Sequence, residues 1–121
     1  MTSEIRTIKW VQTASLDDLW EGEMTEVEVE GEAVLLLNLP GGKVVAYQGI
    51  CPHQQRSLED GEFDGQVITC AAHRWQFEAA TGKGINPANC QLYTYQVRVE
   101  GEQIYIGVPD DGSRRYNRCS A

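Results

Sequence analysis

Hydrophobic and polar residues alternate along much of this chain at the two-residue period of a β-strand, in short runs separated by glycine, proline and charged turns. In Thr25-Glu26-Val27-Glu28-Val29-Glu30 the valines share one side and the glutamates the other, so the segment predicts a strand with one face to a core and one to water. Gly31 marks a turn, and Ala33 to Leu39 returns as a more buried strand. Pro40-Gly41-Gly42 predicts the next turn and Lys43 to Gln48 the next strand. Further on, Leu92 to Glu100 sets Tyr93, Tyr95, Val97 and Val99 against Leu92, Thr94, Gln96 and Arg98; Gly101-Glu102 turns the chain, and Gln103 to Val108 closes the sheet. Ile5 to Val11 reads as the first strand. Ser15-Leu16-Asp17-Asp18-Leu19-Trp20 departs from the β period. Ser15 suits the cap of a short helical turn and the aspartates suit its positive end, with Leu16, Leu19 and Trp20 expected to pack inward.

The middle of the chain is broken more finely. Gly61 to Gly65 and Gln66 to Thr69 predict a tight hairpin, Gln76-Phe77-Glu78 a short strand, Thr81-Gly82-Lys83-Gly84 a turn, and Ile85-Asn86-Pro87-Ala88 a loop. Regularly spaced short strands without an internal repeat point to an all-β sandwich or barrel carrying a small inserted subdomain, from about residue 47 to 90. The 121 residues suit one domain, expected to occupy residues 1–109 with a polar tail over 110–121.

Composition narrows the function more than the fold. The formal net charge is −8; residues 110–121 carry two acids and three bases, leaving 16 acids and 7 bases in the body. Such a field repels nucleic acid and suits docking onto basic protein surfaces, although acidity also serves solubility alone. The longest apolar run, Ala33 to Leu37, is strand-sized, and Met1-Thr2-Ser3-Glu4 lacks the layout of a signal peptide. These features lead to the expectation of a cytoplasmic monomer with no membrane partner, where a reducing milieu favours metal ligation over disulfides for cysteine.

The chemistry is concentrated in two short stretches, Cys51-Pro52-His53 and Cys70-Ala71-Ala72-His73. They hold the chain's only two histidines, and sixteen residues separate His53 from Cys70, enough for an out-and-back strand pair. Each stretch mixes one thiol with one imidazole. Zinc motifs usually pair Cys with Cys and His with His at short spacing, so a Cys2His2 zinc site is the weaker reading. A [2Fe–2S] cluster bound to two thiolates on one iron and two imidazoles on the other needs this mixed set. Two thiolates neutralise the oxidised core and two imidazoles add no charge, which makes reduction easier than with four thiolates. The added electron favours the iron with neutral ligands, so His53 and His73 mark the route by which it leaves. Gln54, Gln55, Arg56, Ala72, Arg74 and Trp75 are candidates to hydrogen-bond or pack around the ligands, and Pro87 to stiffen a covering loop. Cys90 and Cys119 fall outside either motif; a buried small hydrophobe and a free tail thiol, respectively, are expected.

At these residues the chain resembles the Rieske ferredoxins, and in particular the ferredoxin component of bacterial toluene monooxygenases of the toluene/o-xylene type. The resemblance runs over nearly all of residues 5–108. It is carried by Ser15 to Met24, by Cys51-Pro52-His53-Gln54, by Val67 to Phe77 and by Thr81 to Pro87. It implies a Rieske fold of three antiparallel sheets with the cluster at one tip. It implies one [2Fe–2S] cluster, Cys51 and Cys70 on the inner iron, and His53 and His73 on the outer iron through Nδ1. It also implies an electron shuttle between an NADH-dependent flavin and iron–sulfur reductase and a di-iron hydroxylase acting on aromatic hydrocarbons. High-potential relatives carry a disulfide between the loops at positions that are Arg56 and Ala72 here, and a serine donor after the second histidine that is also missing.

An oxygenase is the main competing class. Its mononuclear iron would need two histidines and a carboxylate, and the cluster already uses both histidines. An electron carrier is therefore expected rather than an enzyme. The remaining alternatives are the ferredoxin of an aromatic-ring dioxygenase and a non-redox regulatory subunit that keeps the fold.

Overall fold

The computed structural model describes residues 8–50, 57–71, 75–86, 90–109 and 118–119. Strands β1 (Ile8–Ser15), β2 (Met24–Val29), β3 (Glu32–Asn38), β4 (Val44–Gln48), β10 (Thr94–Glu100) and β11 (Gln103–Pro109) form a six-stranded antiparallel sheet in the order β1-β11-β10-β4-β3-β2. Between β4 and β10 the chain builds a four-stranded sheet, β5 (Glu62–Phe63), β6 (Val67–Thr69), β7 (Gln76–Glu78) and β8 (Gly84–Asn86), in sequential order. A third, two-stranded sheet pairs β9 (Cys90–Gln91) with β12 (Arg118–Cys119). The three antiparallel sheets agree with the expected architecture.

Two apolar clusters explain why β3 and β4 read as near-continuous hydrophobic runs: both are covered on both faces. Val34, Leu36, Val44 and Ala46 point to one cluster with Leu19, Val29, Tyr95, Ile104, Ile106 and Val108. Leu35, Leu37, Val45 and Tyr47 point the other way and pack with Leu58, Ile68, Phe77 and Leu92 beneath the small sheet. The first cluster sits inside a curl of the large sheet, whose outer strands β1 and β2 approach each other. Lys9 and Glu30 form an ion pair of 2.8 Å across that gap. The second cluster fastens the small sheet to the outside of the large one.

The structure alters several expected boundaries. β1 runs on to Ser15, because Thr13 is accommodated as a bulge between Gln12 and Ala14 and pairing with β11 resumes beyond it. The predicted turn over Leu16–Asp18 is one 3₁₀ turn, capped by Ser15 Oγ accepting from the Asp17 amide at 3.2 Å. It is too short to keep three side chains on one face. Leu19 is already extended and buried, so its neighbour Trp20 faces out, 67% exposed, with its indole N–H donating to the Asp17 carbonyl at 3.0 Å. Gly84–Asn86, expected as turn and loop, is strand β8 at the margin of the small sheet. The turn at Pro40 forms as expected: Gly41 and Gly42 both take positive φ, and the Glu21 carboxylate accepts from the Gly41 amide at 2.7 Å.

Candidate metal centre

The described residues that flank the two Cys/His stretches are tied together at each stretch's ends. β4 delivers the chain to Gly49, whose amide donates to the Ala33 carbonyl at 2.9 Å. The next residue, Ile50, donates its amide to Gln48 Oε1 at 2.9 Å and bridges antiparallel to Ser57. The residues on either side of the first stretch, Ile50 and Ser57, are therefore held together. Cys51, His53, Gln54 and Arg56 lie outside the described residues.

The second loop tops the β6–β7 hairpin, in which Thr69 pairs with Gln76 and Ile68 with Phe77. Cys70 is the first residue beyond β6. Its amide donates to the Trp75 carbonyl at 2.7 Å, closing the loop base. Cys70 is a free thiol, 1% exposed, and forms part of the wall of a cleft of about 180 Å³ lined also by Asp60, Gly61, Glu62, Thr69 and Ala71. Trp75 is half-buried against the cluster of Leu58, Ile68 and Phe77. Ala72, His73 and Arg74 are outside the described residues, as is Pro87 between β8 and β9.

The segment between the loops shows in the sequence only as the approach to a hairpin. In the structure Ser57 caps a second 3₁₀ turn, Leu58–Asp60, by accepting from the Glu59 amide at 3.2 Å. The Leu58 amide donates to the Gly49 carbonyl at 2.8 Å, and the Leu58 side chain is buried in the second apolar cluster. Ser57 Oγ also donates to Glu26 Oε1, while Glu59 Oε2 accepts from the Glu26 amide at 3.0 Å and from Thr25 Oγ1 at 3.3 Å. The turn is thus held to β2 by the side chains of Ser57 and Glu59. A signature for it exists: Ser57-Leu58-Glu59-Asp60 repeats the pattern of Ser15-Leu16-Asp17-Asp18.

A second connection lies beneath the loops. Tyr47, near the end of β4, donates its hydroxyl to the Ala79 carbonyl just beyond β7 at 2.6 Å. Burial, reinforced by the nearby Glu78 charge, pushes this phenol from 10.0 up to about 12. At the other end of the hairpin, Asp64 Oδ1 accepts from the amides of Gln66 at 2.9 Å and Val67 at 2.8 Å. Those two donors hold the Asp64 carboxyl below its ordinary value.

Cys90 requires a correction. It is buried, as expected of a small hydrophobe, but it is disulfide-bonded, and the β9–β12 ladder sets Cys119 directly opposite it. Cys119, expected in a peripheral tail, lies instead in strand β12 of that ladder. A two-residue ladder joining segments this far apart in sequence leaves no periodic signal to read.

The mixed thiol and imidazole set on two clamped loops, with Cys70 buried, unpaired and at the wall of a cleft, suits a [2Fe–2S] centre. The profile of the Rieske [2Fe-2S] domain matches residues 9–112, and the chain belongs to that family, which carries a single [2Fe–2S] cluster. Among known proteins, it is 46% identical over 110 residues to the ferredoxin component of the alkene monooxygenase system of Xanthobacter autotrophicus, covering 87% of this chain and 88% of the relative. It is 32% identical over 101 residues to the ferredoxin component of the naphthalene 1,2-dioxygenase system of Pseudomonas putida, covering 83% and 96%. Among solved structures, the chain is similar to one from the complex of reduced oxygenase and oxidized ferredoxin in carbazole 1,9a-dioxygenase, with a TM-score of 0.73 and 26% identity over 80% of this chain and 91% of that one.

Proposed function

We propose that this chain is an electron-transfer ferredoxin that carries single electrons from an NADH-dependent flavin and iron–sulfur reductase to the di-iron hydroxylase of a hydrocarbon monooxygenase, and is not itself an enzyme. Cys51 and Cys70 hold one iron and His53 and His73 the other; the bound cluster supplies reversible one-electron chemistry. The chain's own part is to grip that centre and keep it dry. The bridge from Ile50 to Ser57 and the hydrogen bond from Cys70 to Trp75 close the loop bases, and Leu58, Ile68 and Phe77 fill the space beneath them. Gln54, Arg74, Trp75 and Pro87 are assigned to the surroundings of the ligands, where hydrogen bonding and packing tune a potential.

The observation that carries the reading is the pair of mixed Cys/His loops, one of them anchored at Cys70. Over 87% of the chain, 46% identity to a monooxygenase ferredoxin favours a monooxygenase as terminal acceptor over a ring dioxygenase. The stretches Ser15 to Met24 and Val67 to Phe77 carry the resemblance to the monooxygenase branch, and aromatic hydrocarbons as the hydroxylase's substrates rest on that resemblance to the toluene monooxygenase ferredoxins. The Rieske unit is taken to end near Pro109. No helix among the described residues is long and apolar enough to cross a membrane, and a monomeric cytoplasmic carrier is the simplest form for this role.

A reconstitution assay tests the reading: purified protein mixed with a flavin reductase, NADH, and either a di-iron hydroxylase or a Rieske dioxygenase. Product formation with the hydroxylase is expected. Turnover with the dioxygenase alone would favour the alternative acceptor, and no electron uptake at all would sink the carrier role.

A further inference from the structure

Gly61 ends the second 3₁₀ turn at φ −90° and ψ −147°, and it has no room for a side chain. A Cβ placed there would lie 1.9 Å from the Thr69 carbonyl oxygen, 2.9 Å from its carbon and 3.1 Å from the Ala71 nitrogen. Those two residues flank Cys70. At the other end of the same turn, Leu58 is hydrogen-bonded to Gly49 and Ser57 bridges to Ile50, the residue before Cys51. The five residues from Ser57 to Gly61 therefore touch the base of both ligand loops. Their tie to Glu26 and Thr25 fixes them against the large sheet.

We propose that Ser57–Gly61 is a spacer that sets the distance between the two ligand loops, and that Gly61 is the positioning residue through which it bears on Cys70. This rests on the reading of the loops as the two halves of a [2Fe–2S] site. A cluster gripped from two loops requires them to stand at one separation. A turn packed backbone to backbone against the Cys70 loop transmits any change at residue 61 straight to that separation. Supporting contacts around metal ligands commonly change affinity by about 10–100-fold when removed.

The test compares Gly61→Ala, Ser57→Ala and Ser15→Ala as reconstituted holoproteins. Ser15→Ala removes the matching cap from the other 3₁₀ turn, which is tied to Glu102 rather than to a loop base. The readouts are the rate of iron loss to a chelator, the midpoint potential by protein-film voltammetry, and the EPR spectrum of the reduced protein. Gly61→Ala is expected to release iron about tenfold faster or more, with a shifted potential and altered g values. Ser57→Ala is expected to change the same readouts to a smaller degree, and Ser15→Ala to leave them at the wild-type values. Wild-type readouts from Gly61→Ala, or equal effects from the two serine variants, would overturn the spacer. If Gly61→Ala does not fold, the contrast between the serine variants decides. A wild-type protein that binds no [2Fe–2S] cluster would instead defeat the reading on which the proposal rests.

Discussion

Tyr47 and Ala79 join the stems of the two ligand loops: a phenol near the end of β4 donates to a carbonyl just past β7 at 2.6 Å, within the second apolar cluster. Removing that donor by Tyr47→Phe withdraws the hydrogen bond from the buried carbonyl, and a loss of about 1–3 kcal/mol is expected. Chemical denaturation at neutral pH checks it. The same bond predicts a pH dependence. The folded state holds the phenol neutral up to about 12, whereas the unfolded chain ionises it near 10.0. The unfolded state therefore binds fewer protons between these values, and the contribution present below the unfolded pKa is lost as pH rises through the folded one. The stability difference between wild type and Tyr47→Phe should shrink as pH is raised from below 10.0 to about 12.

The disulfide at Cys90 predicts that a non-reducing digest will join the peptides carrying Cys90 and Cys119, with Cys70 absent from any linked pair. Closing a loop of this length in the unfolded chain is worth roughly 3–4 kcal/mol, so a dithiol reductant should lower the denaturation midpoint of the cluster-free protein measurably. Alkylation of Cys90 in unreduced protein would contradict this. A reducing cytosol disfavours such a bond, so its state in freshly lysed cells also tests the cytoplasmic reading.

The acidic body predicts salt-sensitive partner encounter. Raising ionic strength should slow electron delivery to a partner with a basic docking face, since screening shortens the reach of a net charge of −8. Stopped-flow reduction across a salt series measures it; rates independent of salt would refute electrostatic steering and leave the metal site untouched.

The alternation in Thr25–Glu30 and the apolar runs of β3 and β4 are legible because burial imposes a period there, and the Cys/His motifs because coordination restricts residue type. Trp20 defeats a sequence reading because a single 3₁₀ turn looks helical in sequence but does not extend far enough to hold a third side chain on its inner face. β9 and β12 leave no trace because two residues cannot display a period, and β8 is hidden because Gly82, Gly84 and Pro87 make its surroundings read as a turn and a loop. The Ser57–Gly61 turn is easily overlooked although its Ser-Leu-acid-acid pattern stands forty-two residues earlier at Ser15. The role of Gly61 cannot be read from sequence at all, since it depends on how closely Thr69 approaches, a distance that only the folded chain defines.

By the resemblance to the Rieske proteins, Arg56 and Ala72 match the positions of the loop-bridging disulfide of high-potential members, and the serine donor after the second histidine is missing. Fewer donors toward the centre leave its reduced form less stabilised. A midpoint potential at the low end for such centres, on the order of −150 mV, is expected. Protein-film voltammetry giving a clearly positive value would contradict this.

The most direct test of the central claim is pulsed EPR on the dithionite-reduced protein, beside the His73→Ala variant. A paramagnetic [2Fe–2S] centre coupled to two coordinated imidazole nitrogens is expected in the wild type, and its loss is expected in the variant. A colourless protein holding one zinc ion, or a signal without nitrogen coupling that survives His73→Ala, would contradict it.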